Sequence, residues 1–132
     1  MGNTVVIPSD LKAARKVAAE ILAEVERFGY PECSAFAIRL ALEEGLNNAI
    51  RHGNGYDPDK TVEVSYDVTA QRAAIAITDE GQGFDPGCVP DPTADENIHR
   101  PCGRGIMLIR AYMDDVSYND RGNQLRMVKN NG

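Results

Sequence analysis

The sequence predicts a two-layer α/β (α+β) sandwich in which helices cover one face of a mixed, mostly antiparallel sheet. Three observations predict it. Two consecutive segments near the N-terminus carry helical apolar periodicity, two later pairs of segments read as hairpins, and a third helical stretch lies between those pairs. At 132 residues the chain has the size of one domain, 1–132, long enough to bury a core and too short for a second domain with its own.

Residues 3–7 (NTVVI) read as a short strand that Pro8 stops, and Ser9-Asp10 supply a helix N-cap. From Leu11 the apolar positions Ala14, Val17, Ala18, Ile21, Leu22, Val25 and Phe28 recur at three- and four-residue steps until Gly29 closes the helix. A second helix starts at Pro31, tolerated in a first turn, and runs through Phe36, Ile38, Ala41, Leu42, Leu46, Ala49 and Ile50 towards Gly53. Residues 61–68 alternate Val62, Val64, Tyr66 and Val68 with polar partners and pair with 72–78 as an antiparallel hairpin. Residues 80–105 are dense in Gly, Pro, Asp and Asn and have no period, which reads as a long functional loop. A third helix over about 105–114 leads to strands near 115–119 and 123–129.

Hydrophobic residues at 42% and charged residues at 26% describe a soluble globular protein. No apolar run approaches the roughly 20 residues that span a bilayer, and no signal-like segment opens the chain, so the cytoplasm is the expected compartment. Cys33, Cys88 and Cys102 are odd in number and lack a C-x-x-C spacing, which predicts free thiols. With 14 basic and 20 acidic residues the net charge of −6 argues against a nucleic-acid partner. A polyanionic ligand needs local help here from a metal ion, a helix N-terminus or a few arginines.

Chemistry concentrates in three places. On the second helix Glu44, Asn48 and His52 stand four residues apart and form one stripe, beside the small residues Gly45 and Ala49. The Asn48 amide oxygen is a hard ligand suited to Mg²⁺, and the Glu44 carboxylate is suited to a base; a solvated helix face is the alternative reading of the stripe. The second place is Asp79-Glu80-Gly81-Gln82-Gly83 at a strand end, where glycines allow close approach to a ligand and an aspartate can accept a hydrogen bond from an amine. The third is Gly103-Arg104-Gly105 at a helix start, where free N–H groups favour a phosphate and Arg104 and Arg100 add charge. With 12 glycines in 132 residues a single G-x-G is expected by chance; placement after a strand or before a helix carries the weight.

In order, E-x-x-x-N-A-x-x-H-G (Glu44 to Gly53), D-x-G-x-G (Asp79 to Gly83) and G-x-G-I-x-L-I (Gly103 to Ile109) resemble the N, G1 and G2 boxes of the histidine-kinase-like (GHKL) ATPases. Within that superfamily the chain resembles, over nearly its whole length, the anti-sigma factor serine/threonine kinases of bacterial stress-response and sporulation switches. The resemblance implies the Bergerat fold with ATP and Mg²⁺ as cofactors. It implies Glu44 as general base, Asn48 as Mg²⁺ ligand and Asp79 as the adenine-reading residue, with Gly81 and Gly83 supporting that turn. Gly103 and Gly105 match the glycines near the phosphates, Arg100 and Arg104 fall in the same ATP-binding region, and residues 84–102 match the ATP lid. His52 matches a common position and is expected to be structural. The chain departs from the pattern in having Pro101 and Cys102 immediately before Gly103, where a basic residue is frequent. The implied partners are a sigma factor and an anti-sigma factor antagonist, with a homodimer left open. The alternative function is a nucleotide-binding regulatory module of the same fold without phosphotransfer.

Overall fold

The computed structural model describes residues 2–55, 57–80, 109–119 and 123–131. Strand β1 (Asn3–Pro8) is followed by helices α1 (Leu11–Arg27) and α2 (Glu32–Asn48), a π-helical turn (Ala49–Gly53), and strands β2 (Thr61–Val68), β3 (Arg72–Asp79), β4 (Asp115–Tyr118) and β5 (Gln124–Asn130). The sheet order is β1-β2-β3-β5-β4, and every pairing among the described residues is antiparallel. Of the third helix expected over 105–114, residues 109–112 are helical; 105–108 lie outside the described residues.

Alternation decides which sheet face is covered. Val62 and Val64 of β2, Ala73, Ile75 and Ile77 of β3, and Leu125 and Met127 of β5 are all buried, while their neighbours in sequence are more exposed. Val64, Ile77 and Leu125 stand opposite one another and form one row of this floor. Ala14, Val17, Ile21 and Val25 of α1 and Ile38, Ala41, Leu42 and Leu46 of α2 close over it, the stripe that the helical period predicts.

The caps follow local chemistry. Asp10 accepts a hydrogen bond from Lys12 N–H at 3.1 Å and starts α1. Gly29, at φ 72°, ends it in a conformation that side chains resist. Pro31 is the N-cap of α2, one residue before the helix that was expected to begin with it.

Three expectations are corrected. Pro8 does not stop β1 but is its last residue, paired with Thr61, where an edge strand tolerates a missing N–H. Phe36, assigned to the buried stripe, is 56% exposed and meets Tyr112 edge-on, ring centroids 6.0 Å apart. Finally, α2 does not run as one α-helix to Gly53: after Asn48 the backbone widens into the π-turn, closed by the bond from Asn54 N–H to Ala49 O at 2.9 Å.

Candidate functional site

Gly45 fixes where α2 meets the sheet. A Cβ at this position would stand 2.9 Å from Ile77 Cδ1 and 3.2 Å from Leu125 Cδ2, so any side chain here would have to push those two methyl groups aside. Two turns later Asn54 accepts a hydrogen bond from Glu80 N–H at 2.8 Å. Helix and strand therefore run in the same direction between these two points, Gly45 against Ile77 and Asn54 against Glu80. Asn48 and Asp79 both fall between them, at one end of the sandwich.

Each side chain has a defined side. At about 100° per residue, Glu44 and Asn48 lie on the flank of α2 away from α1. The flank towards α1 carries Arg39, Glu43 and Arg51, which line a groove of about 710 Å³ between the two helices together with Arg15, Leu11 and Leu22. Glu44 and Asn48 are half-buried, not solvated as an exposed polar face would be. Asp79 has the parity of Ala73, Ile75 and Ile77 and so continues the helix-facing row of β3 past the last apolar residue. Its main chain is held on the β5 side, where Asp79 N–H donates to Asn123 O at 2.9 Å and Asn123 Nδ2 donates to Asp79 O at 3.1 Å.

Asn48 and Asp79 thus lie towards the same end of the sandwich, Glu44 stands one turn before Asn48 on α2, and all three are half-buried. Gly81, Gly83, Arg100, Gly103, Arg104 and Gly105 lie outside the described residues, as does the expected lid, 84–102. His52 belongs to the π-turn, but its side chain is outside what is described. Cys33 is an exposed free thiol, and Cys88 and Cys102 lie outside the described residues.

Among the described residues no group of three or more His, Cys, Asp or Glu side chains is placed to hold a metal ion. Mg²⁺ held with a nucleotide takes one or two protein oxygens and completes its shell with phosphates and water. Asn48, half-buried and one turn from Glu44, can supply such an oxygen.

Sequence reasoning missed four residues around this site. Asn54, 3% exposed, donates from Nδ2 to Ser9 Oγ at 2.8 Å and to Thr61 O at 2.9 Å, while Ser9 Oγ donates to Lys60 O at 2.8 Å. The Glu80 carboxylate accepts from Thr61 N–H and from Thr61 Oγ at 3.0 Å. Ser9 was readable only as part of a helix cap, and Asn54, standing between Gly53 and Gly55, reads as a turn residue.

Residues 7–129 match the histidine kinase-like ATPase domain. The chain is similar to the serine-protein kinase RsbW of Halalkalibacterium halodurans, 30% identical over 110 residues that make up 78% of this chain and 67% of that protein. It is similar also to RsbW of Oceanobacillus iheyensis (26% over 101 residues, 72% and 64%) and of Bacillus subtilis (27% over 112 residues, 78% and 69%). The chain spans about two thirds of the length of these relatives. Its fold resembles the crystal structure of the RsbU and RsbW domains of Rv1364c from Mycobacterium tuberculosis, with a TM-score of 0.65 and 15% identity over 98% of this chain and 32% of that one. No helix among the described residues is long and apolar enough to cross a membrane. On the match that runs from residue 7 to residue 129, the chain belongs to the histidine kinase-like ATPase domain family.

Proposed function

We propose that this chain is an ATP-binding anti-sigma factor that transfers the γ-phosphoryl group of Mg·ATP to a serine or threonine of an anti-sigma factor antagonist. The observation that supports the reading is that Glu44 and Asn48 stand one turn apart on α2, which runs towards the end of the sandwich where β3 ends at Asp79. The names of the relatives as serine-protein kinases support it.

In this reading Asp79 accepts a hydrogen bond from the adenine amine and sets the depth of the nucleotide. Asn48 presents its amide oxygen to Mg²⁺, which when bound neutralises charge on the phosphates. Glu44 takes the proton from the attacking hydroxyl as its oxygen bonds to the γ-phosphorus and the bond to the ADP oxygen breaks. Gly81, Gly83, Gly103 and Gly105 let the main chain approach the nucleotide, and Arg100 and Arg104 add positive charge at the phosphate end. Catalysis then consists mainly of positioning and charge neutralisation.

The test is incubation with labelled ATP and candidate antagonists from the same genome, comparing wild type with Glu44→Gln. Loss of the basic oxygen is expected to lower phosphotransfer by about 10²–10⁴ while ATP affinity stays within a few fold. Loss of ATP binding in the variant would assign Glu44 to the metal shell or the fold. A wild-type chain that binds ATP and a sigma factor but phosphorylates no antagonist would be a binding module, not a kinase.

A further inference from the structure

We infer that Asn54 is the positioning residue that locks the two halves of the nucleotide site together, an inference that rests on the nucleotide-binding reading above. The base and metal-binding end of that site stands on α2, and the adenine-reading end stands on β3; they belong to different layers. Asn54 is the residue whose side chain bridges them. Its Oδ1 accepts from Glu80 N–H at 2.8 Å, one residue beyond Asp79, while its own N–H closes the π-turn that follows Asn48 by donating to Ala49 O at 2.9 Å.

The rest of the side chain anchors this bridge. Both Nδ2 protons are used, one on Ser9 Oγ at the end of β1 and one on Thr61 O at the start of β2. Ser9 Oγ passes its own proton to Lys60 O, so the hydroxyl accepts and donates within one buried chain. At 3% exposure Asn54 has no water to replace these partners, and among the described residues no buried side-chain polar atom is left unsatisfied. A group fixed by four bonds to four segments has little freedom, and so Glu80 N–H and the adjoining Asp79 are held at a fixed offset from Asn48. The π-turn belongs to the same device. It adds a residue to the turn that brings Asn54 back to the sheet, a widening of the kind often found at functional sites.

This role separates from a purely structural one through two variants. Asn54→Ala removes every side-chain bond. Asn54→Asp keeps the acceptor facing Glu80 N–H but loses both donors, and therefore melts well below wild type. Dissociation constants for Mg·ADP are measured by calorimetry on the full chain, at a temperature where circular dichroism shows each variant folded. The expected result is a loss of about tenfold or more for Asn54→Ala and less than about threefold for Asn54→Asp, since only the first frees the Glu80 amide. Wild-type affinity in folded Asn54→Ala, or equal losses in both variants, would overturn the inference. If Asn54→Ala does not fold, exchange of the Asn54 Nδ2 protons in the wild-type chain decides. Mg·ADP is expected to slow it about tenfold or more, and an unchanged rate overturns the inference. A wild-type chain that binds no nucleotide would remove the nucleotide-binding reading itself, whereas a binding wild type with an indifferent Asn54 removes only this inference.

Discussion

Asp79 carries the adenine-reading part of the proposal at a single residue. Its main chain is held by Asn123 on one side and by the Val62 register on the other. Asp79→Asn is expected to weaken ATP binding by roughly 10- to 100-fold, because a hydrogen bond to a charged group is worth about 1.5–3 kcal/mol. An unchanged dissociation constant in the folded variant would mean that adenine is read elsewhere. The placement of Asp79 at a strand end and of Glu44 and Asn48 on one stripe of a helix was legible in the sequence, because spacing alone determines it. Asn54 was not legible. Its value comes from four partners at sequence separations between 5 and 45, and no local pattern encodes such a meeting.

At the scale of elements, α1 and the hairpin of β2 and β3 were legible because period alone determines their buried face. The boundary at Asn48 was not, since Ala49 and Ile50 continue the apolar pattern of α2 and are both buried, so an α-turn and a π-turn look alike in sequence. Phe36 misled for the converse reason: an aromatic residue in helical phase was read as core although it lies at the margin, against Tyr112. Gly45 tests the contact between α2 and the sheet. For Gly45→Ala, a gain of about 1 kcal/mol in helix propensity opposes an overpacking cost of about 1–3 kcal/mol against Ile77 and Leu125, and the change in stability is expected to be small. Gly45→Val adds two methyl groups to a Cβ already too close and gives back most of the propensity gain, so it is expected to destabilise by about 2 kcal/mol or more. Urea unfolding measures this, and an unshifted midpoint for the valine variant would mean that the helix does not rest on β3 and β5 as described.

Over the whole molecule the two layers are tied at both ends by different chemistry. Asn54 ties them at the site end. At the other end Tyr30, buried between α1 and α2, donates its hydroxyl to Thr69 O at 2.7 Å, and Asn131 Nδ2 donates to Phe28 O at 3.3 Å and Ala70 O at 2.9 Å. Burial pushes the Tyr30 phenol above its ordinary value of 10.0. Tyr66 on β2 is raised too, by burial first and then by the carboxylates of Glu20 and Glu24 on α1. For both groups the folded state favours the neutral phenol, so above the ordinary value the folded chain binds more protons than the unfolded one and stability falls as pH rises. The contribution is fully present below pH 10.0 and is lost as pH passes through the raised folded values. Urea midpoints are therefore expected to drop above that pH. In Tyr30→Phe the alkaline drop should be shallower and stability at neutral pH lower by about 1 kcal/mol, from the lost hydrogen bond. Because Thr69 lies at the opposite end of β3 from Asp79, this variant should bind Mg·ADP as tightly as wild type. An equal alkaline drop in Tyr30→Phe would leave Tyr66 as the titrating group, and a loss of nucleotide affinity would mean that the two ends of the sandwich are coupled.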